Sequence, residues 1–467
     1  MLTYDLDRRG RLARYDYLYR CIREDILSGR LTAGEKLPSK RALAEHLQTA
    51  VSTVENAYAQ LAAEGYIHTR EKSGCFVAAV ETPQHEPAEA ARTAQERGGP
   101  PRAEREWLLD LHSGGSGTEG FPFSVWARLM RRALGERGEA LLRATPPNGA
   151  EELRAALARQ LYRYRGITAA PEQIVVGAGT EYLYNLIVQL LGREVVYGAE
   201  DPGYSKAARV YALGGARTAP VRVDGGGVSL QELEASGAQV LHTSPNHQFP
   251  TGAVTPIGRR QSLLHWAEAQ EGRYIIEDDY DSEFRFTGRP IPTLKSIDRA
   301  GRVLYVNTFS RTLAPSLRIS YLVLPEGLLA RYRERLGFYS CTVPAMEQYT
   351  LSPFLDDGYF EAHVNRMRNF YRARRDAVIA AIAESPLAPR CRVSGEDAGL
   401  HFLLALETAR PDRALAAAAE QRGLRLSFLS DFALRPEAAD AHTLVVNYPG
   451  VDMEHLHEAL CVLESLL

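Results

Sequence analysis

The sequence predicts an α/β protein made of a small helical head and a larger sheet-containing body, and three observations lead there. Short β-branched runs alternate with helical patterns between residues 174 and 324. The first 80 residues hold three helical patterns and then two short strands around a polar tip. Between the two parts, residues 81–106 are rich in Pro, Ala, Gln, Glu and Arg and almost free of large apolar side chains. Such a stretch buries too little surface to fold alone and reads as a flexible linker, whose roughly 26 residues of coil span on the order of 25 to 30 Å. The expected division is a head at 1–80, the linker at 81–106 and a body at 107–467, the body ending in a smaller subdomain from about residue 353.

Composition narrows the class. Of 467 residues, 45% are hydrophobic and 24% charged, the balance of ordinary soluble globular proteins. No run of 18 apolar residues exists, and the N-terminus MLTYDLDRRGRLARYD has no apolar signal core. The cytoplasm is therefore the expected location, with no membrane partner. Cys21, Cys75, Cys341, Cys391 and Cys461 are odd in number and lack CxxC or Cys/His spacing. They read as reduced thiols, and neither a disulfide framework nor a metal site is expected. The net charge is −3, with residues 1–80 at +2 and the rest at −5. That asymmetry is too mild to indicate nucleic-acid binding by itself.

In the head, residues 15–28 place Leu18, Ile22 and Ile26 at helical spacing. Ser39 stands where it can N-cap a second helix over 40–47. A third helix follows over 52–64 and is closed by Gly65. This is helix-turn-helix spacing. Residues 66–70 and 75–77 then flank a polar Glu71-to-Gly74 tip, forming a two-stranded wing. A third helix that begins with Ser52 and Thr53 can enter the major groove, with Arg41, Arg70 and Lys72 neutralising phosphates. The same spacing also suits a three-helix packing module with solvated charges. Residues 34–78, GEKLPSKRALAEHLQTAVSTVENAYAQLAAEGYIHTREKSGCFVA, closely resemble the winged-helix domain of the GntR family of bacterial regulators. They depart at Ala50, where the family often has Ser, and at Val51 and Glu55, where some branches carry arginines that contact DNA. The resemblance implies promoter DNA as a partner. The contacts expected here are Ser39, Arg41, Ser52, Thr53, Asn56, Arg70 and Lys72.

In the body, strand patterns at 174–176, 194–197, 240–243, 274–276, 303–306 and 321–324 indicate a mainly parallel sheet covered on both faces. A long Arg-rich helical stretch at 359–382 and strand patterns at 401–405 and 443–447 suit a smaller α+β part. Five local signals fall among these elements. Gly177, Ala178, Gly179 and Thr180 make a small-residue turn into a helix, where free amides can hold a phosphate. Tyr204 follows a Pro-Gly turn and can stack on a flat heterocycle. Asp278 and Tyr280 end a hydrophobic strand; a buried carboxylate there can keep a pyridine nitrogen protonated, although acidic strand ends also make metal sites. Thr308, Ser310, Arg311 and Arg318 follow another strand with hydroxyls and guanidinium groups suited to phosphate. The fifth signal is the turn-rich loop from Ser244 to Gly252, which contains Asn246.

In order and spacing these segments resemble the fold type I, aspartate-aminotransferase-like domain that binds pyridoxal 5′-phosphate (PLP). With the head and linker, nearly the whole chain resembles the MocR/GabR subfamily of GntR-family regulators. The resemblance implies phosphate binding by Gly179, Thr180, Thr308, Ser310 and Arg318, ring stacking by Tyr204, nitrogen pairing by Asp278 and contact with the phenolic oxygen by Tyr280, with Asn246 and Arg311 also at the cofactor. One position differs in kind: where the family's TFSK motif carries the Schiff-base lysine, this sequence has Arg311. A guanidinium is a poor nucleophile toward an aldehyde, so PLP, if bound, is expected to be held noncovalently. The chain has five lysines, Lys36, Lys40, Lys72, Lys206 and Lys295, and none sits in that motif. The strand where aminotransferases place a carboxylate-binding arginine reads Leu444, Val445, Val446, Asn447, Tyr448.

The reading that follows is a DNA-binding regulator, not an enzyme, whose body senses PLP or an effector that carries an amino group or is anionic, such as an amino acid or related amine. A PLP-dependent aminotransferase with an accessory DNA-binding head is the disfavoured alternative, and a body serving only structure or dimerisation is a third. Arg311 either grips a carboxylate or phosphate, or fills the space and selects a different anion. Because fold type I domains work as dimers, the resemblance implies a homodimer.

Overall fold

In the computed structural model, the described residues are 2–10, 12–70, 73–79, 107–111, 120–286, 291–435 and 441–467. Lys72 and the linker 81–106 lie outside them. The chain divides into two compact units, Met1–Glu104 and Arg105–Leu467, each described by itself.

The head forms around helix α1 (Arg14–Leu27), whose Leu18, Ile22 and Ile26 recur every fourth residue and are buried. The Ser39 hydroxyl accepts a hydrogen bond from Ala42 N at 3.2 Å and so starts α2 (Lys40–His46). Helix α3 (Val51–Ala63) buries Val54, Ala57, Tyr58 and Leu61 against α1 and α2. It ends where Gly65 takes φ 80° and Tyr66 N reaches back to Leu61 O, a Schellman-type stop. Strands β1 (Ile67–Arg70) and β2 (Gly74–Val77) pair antiparallel and form the wing. The Tyr19 hydroxyl bonds Glu64 and the Tyr58 hydroxyl donates to Pro38 O at 3.0 Å, pinning α3 to the rest of the head. Each helix lies within about a residue of its expected position.

In the body, β3 (Leu109–Asp110) is separate from the main sheet. That sheet comprises β4 (Ile174–Gly177), β5 (Val196–Asp201), β6 (Arg217–Asp224), β7 (Gly227–Val228), β8 (Val240–Thr243), β9 (Tyr274–Asp278), β10 (Val303–Thr308) and β11 (Ser320–Val323). Its order is β4-β11-β10-β9-β8-β5-β6-β7. Strands β10, β9, β8, β5 and β6 run parallel, while β11 and β7 are antiparallel to their neighbours. Alternate residues feed the two faces: Ile174, Val176, Tyr305 and Tyr321 pack on one side, and Val175, Leu304, Val306 and Leu322 on the other. Helices Glu151–Arg165 and Ala345–Asp356 cover the first side, and Thr180–Leu191 and Leu329–Leu336 cover the second. The parallel strands all end on one edge of the sheet, which brings Asp278 and Thr308, with Tyr204 and Ser244 just beyond β5 and β8, to a common crevice.

The smaller part has its own core, built on helix Tyr359–Glu384 and an antiparallel sheet of β12 (Cys391–Ser394), β13 (Phe402–Leu406) and β15 (Thr443–Val446). Strand β14 (Leu424–Arg425) pairs with β3, so Leu109 and Leu111 join this core from the other end of the body. Pro353, near which the smaller part was expected to begin, lies inside Ala345–Asp356; that helix buries Leu351, Phe354 and Leu355 in the large core. The smaller core instead draws on the Tyr359–Glu384 helix from Met367 onward. Among the described residues, no helix is long and apolar enough to cross a membrane.

Candidate functional site

At the carboxyl ends of the parallel strands lies an open cavity of about 210 Å³. Its wall contains Thr180, Tyr204, Asp278, Tyr280, Thr308, Ser310, Arg311 and Arg318. These come from five separate segments, brought together because their strands end side by side.

Asp278, at the end of β9, is buried. Its Oδ2 accepts from the Tyr184 hydroxyl and lies 3.3 Å from His242 Nε2, whose Nδ1 is 2.6 Å from the Tyr211 hydroxyl. Burial, reinforced by the Asp278 charge, pushes the Tyr184 hydroxyl pKa far above its usual range, so Tyr184 stays a donor. Asp278 Oδ1 is buried with no hydrogen-bond partner among the described residues. An unmet carboxylate oxygen in a cavity wall calls for a donor, and a protonated ring nitrogen supplies one. Tyr280 lies 3.1 Å from His247 Nδ1, and that nitrogen is also 3.0 Å from Asp281. Burial and then Asp281 raise the Tyr280 hydroxyl well above its ordinary pKa, keeping it protonated and able to donate to a phenolate oxygen.

The opposite end of the cavity suits phosphate. Helix Thr180–Leu191 starts there after Gly179, which has φ 95° and whose missing Cβ leaves room that the Arg318 guanidinium occupies. The Thr308 hydroxyl is engaged by Ser310 N at 3.1 Å and Ser320 Oγ at 2.8 Å and so shapes the turn, while Ser310 Oγ is buried without a partner among the described residues. Arg318 adopts φ 51°, a strained left-handed conformation for a side-chain-bearing residue, at the mouth of the cavity. Its guanidinium bonds Glu181 at 2.7 Å, and the other Glu181 oxygen lies 3.3 Å from Lys206 Nζ. Burial pushes the Glu181 carboxyl up, but its own backbone amide, Arg318 and Lys206 outweigh that and hold it below the usual range. The donor set fits a planar phosphorylated heterocycle: a carboxylate for the ring nitrogen, Tyr280 for the phenolic oxygen, Tyr204 as an aromatic side wall, and a helix start with hydroxyls and Arg318 for phosphate.

Asn246 is not among the residues that line the cavity. Its Nδ2 donates to Asp279 at 2.7 Å and its Oδ1 accepts from Arg260 at 3.0 Å, so two buried charges claim both ends of the amide and hold it outside the cavity wall. Phe249, from the same loop, lines the wall instead and packs edge-on to Tyr204 at 6.2 Å. Glu181, Lys206, Tyr184, His242 and Phe249 were not anticipated. Tyr184 was recoverable in principle, one helical turn after Thr180; the others carry no local pattern. His247, Asp281 and His401 form a buried group whose ligand atoms lie within 4.8 Å of one another, and they come from three distant segments, which is why no metal-like spacing shows in the sequence.

On the head, Ser52 and Asn56 are exposed on α3, Thr53 is half-buried beside them, and Arg41 is exposed on α2. The start of α3 has no side-chain cap; Thr53 N donates to Ala50 O at 3.0 Å, and the Val51 and Ser52 amides before it are the ones open to an anion. Ser39 is occupied as the cap of α2. Arg70 is exposed on the wing, with its guanidinium 4.9 Å from the Phe76 ring centre, and Glu55 is paired with Lys40 at 3.5 Å.

Residues 14–77 match the family described as bacterial regulatory proteins, gntR family, and residues 109–462 match aminotransferase class I and II. The chain is 36% identical to the uncharacterized HTH-type transcriptional regulator YdeL of Bacillus subtilis, covering 99% of each chain. It is 33% identical to the probable rhizopine catabolism regulatory protein MocR of Rhizobium meliloti, over 98% of this chain and 95% of that one. Identity to the HTH-type pyridoxine biosynthesis transcriptional regulator PdxR of Corynebacterium glutamicum is 31%, over 88% and 87%. Among solved structures, a kynurenine aminotransferase from Pyrococcus horikoshii superposes with a TM-score of 0.68 at 23% identity, covering 83% of this chain and 96% of that one, a likeness of fold.

Proposed function

Because the chain belongs to the MocR-type HTH transcriptional regulators, which join a gntR-family head to an aminotransferase class I/II body, we propose that its body senses PLP, or an amine or anionic effector, without covalent attachment. The observation that carries this reading is Arg311, set in the cavity wall with Asp278, Tyr280, Ser310 and Arg318 in the motif where the resemblance leads one to expect lysine. A guanidinium can grip an anion but does not condense with an aldehyde.

Neither lysine of the body replaces it. Lys206 lines the cavity but is paired with Glu181, and its ammonium pKa is raised, chiefly by Tyr204, so it stays protonated and unreactive. Burial lowers Lys295 to about 8, which would favour reactivity, but its Nζ donates to Val303 O at 2.8 Å. Val303 starts β10 and Thr308 ends it, so Lys295 sits roughly 17 Å from the cavity at about 3.3 Å per strand residue.

In this reading Asp278, Tyr280, Tyr204 and the phosphate-side residues Gly179, Thr180, Thr308, Ser310 and Arg318 hold the ring and phosphate. When bound, PLP supplies a reactive aldehyde to an amine effector. The head, residues 1–80, reads two half-sites of promoter DNA in a homodimer through Ser52, Thr53 and Asn56 at the base edges and Arg41, Arg70 and Lys72 at phosphates, with Ser39 fixing the α2 start. The linker, residues 81–106, joins it to the body.

The test is the visible absorbance of PLP-loaded protein before and after exhaustive dialysis, alongside Arg311→Lys. The expected result is loss of the band from the natural protein and retention of a borohydride-trappable band in the lysine variant. A band that survives dialysis in the natural protein and is trapped on it by borohydride overturns the reading and restores the enzyme alternative.

A further inference from the structure

Strand β10 serves two cavities. Thr308 and then Ser310 line the cavity described above, whereas Asn307 and Phe309 line a second one of about 280 Å³, as the two-residue period of an extended chain requires. The second cavity has an apolar wall of Leu161, Phe309, Tyr321, Phe360 and Val364, contributed by two helices and two strand ends. Glu283 is set into that wall.

Glu283 Oε2 is buried with no hydrogen-bond partner among the described residues, and the neighbouring Ser282 Oγ is in the same condition. Burial, with Asp279 adding to it and Arg165 opposing it, brings the Glu283 carboxyl up to about 7. The cations nearby are already engaged. Arg165 is paired with Asp279 at 2.5 Å, and Arg368 donates to the Glu283 backbone carbonyl at 2.9 Å and to Asn365 at 3.2 Å. Glu361, the other carboxylate in the wall, is paired with Arg163 at 3.1 Å. Arg165 Nε and Ser282 Oγ are also buried without partners among the described residues, but both are donors or weak acceptors, and the one unmatched acidic oxygen of this wall, Glu283 Oε2, lies beside a cluster of aromatic rings. An ammonium satisfies both, because it donates to the carboxylate and is attracted to ring faces.

We propose that this second cavity is a binding site for a compact amine with an aromatic or branched apolar body, held by Glu283 and seated against Phe309, Tyr321 and Phe360. Its occupant would lie against the opposite face of the strand that carries Thr308 and Ser310, so the two sites share a wall but not a ligand. The proposal does not depend on how, or whether, PLP binds.

Benzylamine is a suitable probe, titrated calorimetrically into full-length protein, with benzyl alcohol as the uncharged control. The expected result is benzylamine binding at least roughly tenfold tighter than benzyl alcohol, weakened about tenfold or more by Glu283→Gln, abolished by Val364→Trp, which fills the cavity, and unaffected by saturating pyridoxine 5′-phosphate, which has the ring and phosphate of PLP but no aldehyde to condense with the amine. Glu283→Gln preserves shape and is decisive by itself should Val364→Trp fail to fold. No binding to the unsubstituted protein, equal affinity for Glu283→Gln, or displacement by pyridoxine 5′-phosphate each overturns the assignment, the last by placing the probe in the first cavity.

Discussion

Glu181 pairs with the cations at the end of the cavity proposed for phosphate, and replacing it by glutamine should tighten anion binding. Its carboxylate bridges Arg318 at 2.7 Å and Lys206 at 3.3 Å. An incoming phosphate must compete with that carboxylate for both partners. The pairs are partly exposed, with Arg318 at 48%, Lys206 at 57% and Glu181 at 31%, so solvent screens them and each is worth about 0.2–1 kcal/mol. Removing both competitions together should contribute about 1 kcal/mol to anion affinity, which is roughly fivefold. The gain should shrink with added salt, because the competing pairs are screened too. The assay is an absorbance titration with PLP and, separately, a calorimetric titration with inorganic phosphate, at low and high ionic strength. The variant also loses a favourable acid in the first turn of helix Thr180–Leu191, so its thermal stability should fall slightly, by about 0.5 kcal/mol. Unchanged or weaker anion binding in a folded Glu181→Gln protein refutes the competition and makes Glu181 an anchor that positions Arg318.

Two further predictions concern the head and the buried acids. Asn56→Ala should weaken specific promoter binding by about 1–3 kcal/mol and relax base preference, whereas Arg41→Ala should weaken all DNA alike and reduce the salt slope by about 1, as read by gel shift or anisotropy across salt concentrations; equal salt slopes for both variants would remove Arg41 from the phosphate contacts. Glu277 is fully buried, accepts from Leu294 N and Lys295 N at 2.8 Å each, and is raised to about 7 by burial and then Asp279. Its folded pKa therefore lies above the unfolded value of about 4.3, so its share of stability is full below that value and declines as pH rises toward 7. Glu277→Gln replaces one acceptor oxygen with an NH2 facing a backbone N–H and should destabilise by about 1–3 kcal/mol in urea unfolding, with the gap to the natural protein narrowing from pH 5 to 7.5. A gap that widens over that range would show that the carboxylate is stabilised on folding.

Much of this architecture is written locally. The head follows from side chains that act on their own neighbours: Leu18, Ile22 and Ile26 define one helix face, Ser39 caps the next helix, and Gly65 stops the third. The central strands were legible because both their faces are buried, which forces continuous apolar runs. Strand β6 was not, because it lies near the sheet edge with only Val221 fully buried among polar residues and a proline. Pro353 suggested a boundary, whereas the packing of Leu351, Phe354 and Leu355 holds the helix intact through it. The site divides in the same way. Residues at strand ends and helix starts, such as Asp278, Thr308 and Thr180, are found by position along the chain. The partners of Asn246, Asp279 and Arg260, are set by the fold and not by its own loop, and Glu181 was missed because its partners, Lys206 and Arg318, are neighbours only in the folded sheet.

Under the proposed function, arginine at position 311 sets what kind of signal the body would carry. A lysine that condenses with an aldehyde holds its cofactor through a bond that dissociates slowly, so occupancy reports the history of the protein more than the present concentration of ligand. With Arg311, and with Asp278, Ser310 and Arg318 still in the wall, every proposed contact is a hydrogen bond or ion pair. Occupancy then follows free ligand, and the free energy available to shift the body between arrangements is RT ln(1 + [L]/Kd), about 2.7 kcal/mol at a hundredfold excess over Kd. That is enough to change the populations of two head arrangements by nearly a hundredfold, provided one arrangement binds the ligand and the other does not. In that reading Glu181, paired with Arg318 and Lys206, would raise Kd and move the responsive range to higher ligand concentrations. A pocket that worked in this way, noncovalent and with its affinity lowered by its own carboxylate, would retain a catalyst poorly and would suit following the concentration of a metabolite, as the proposed function requires.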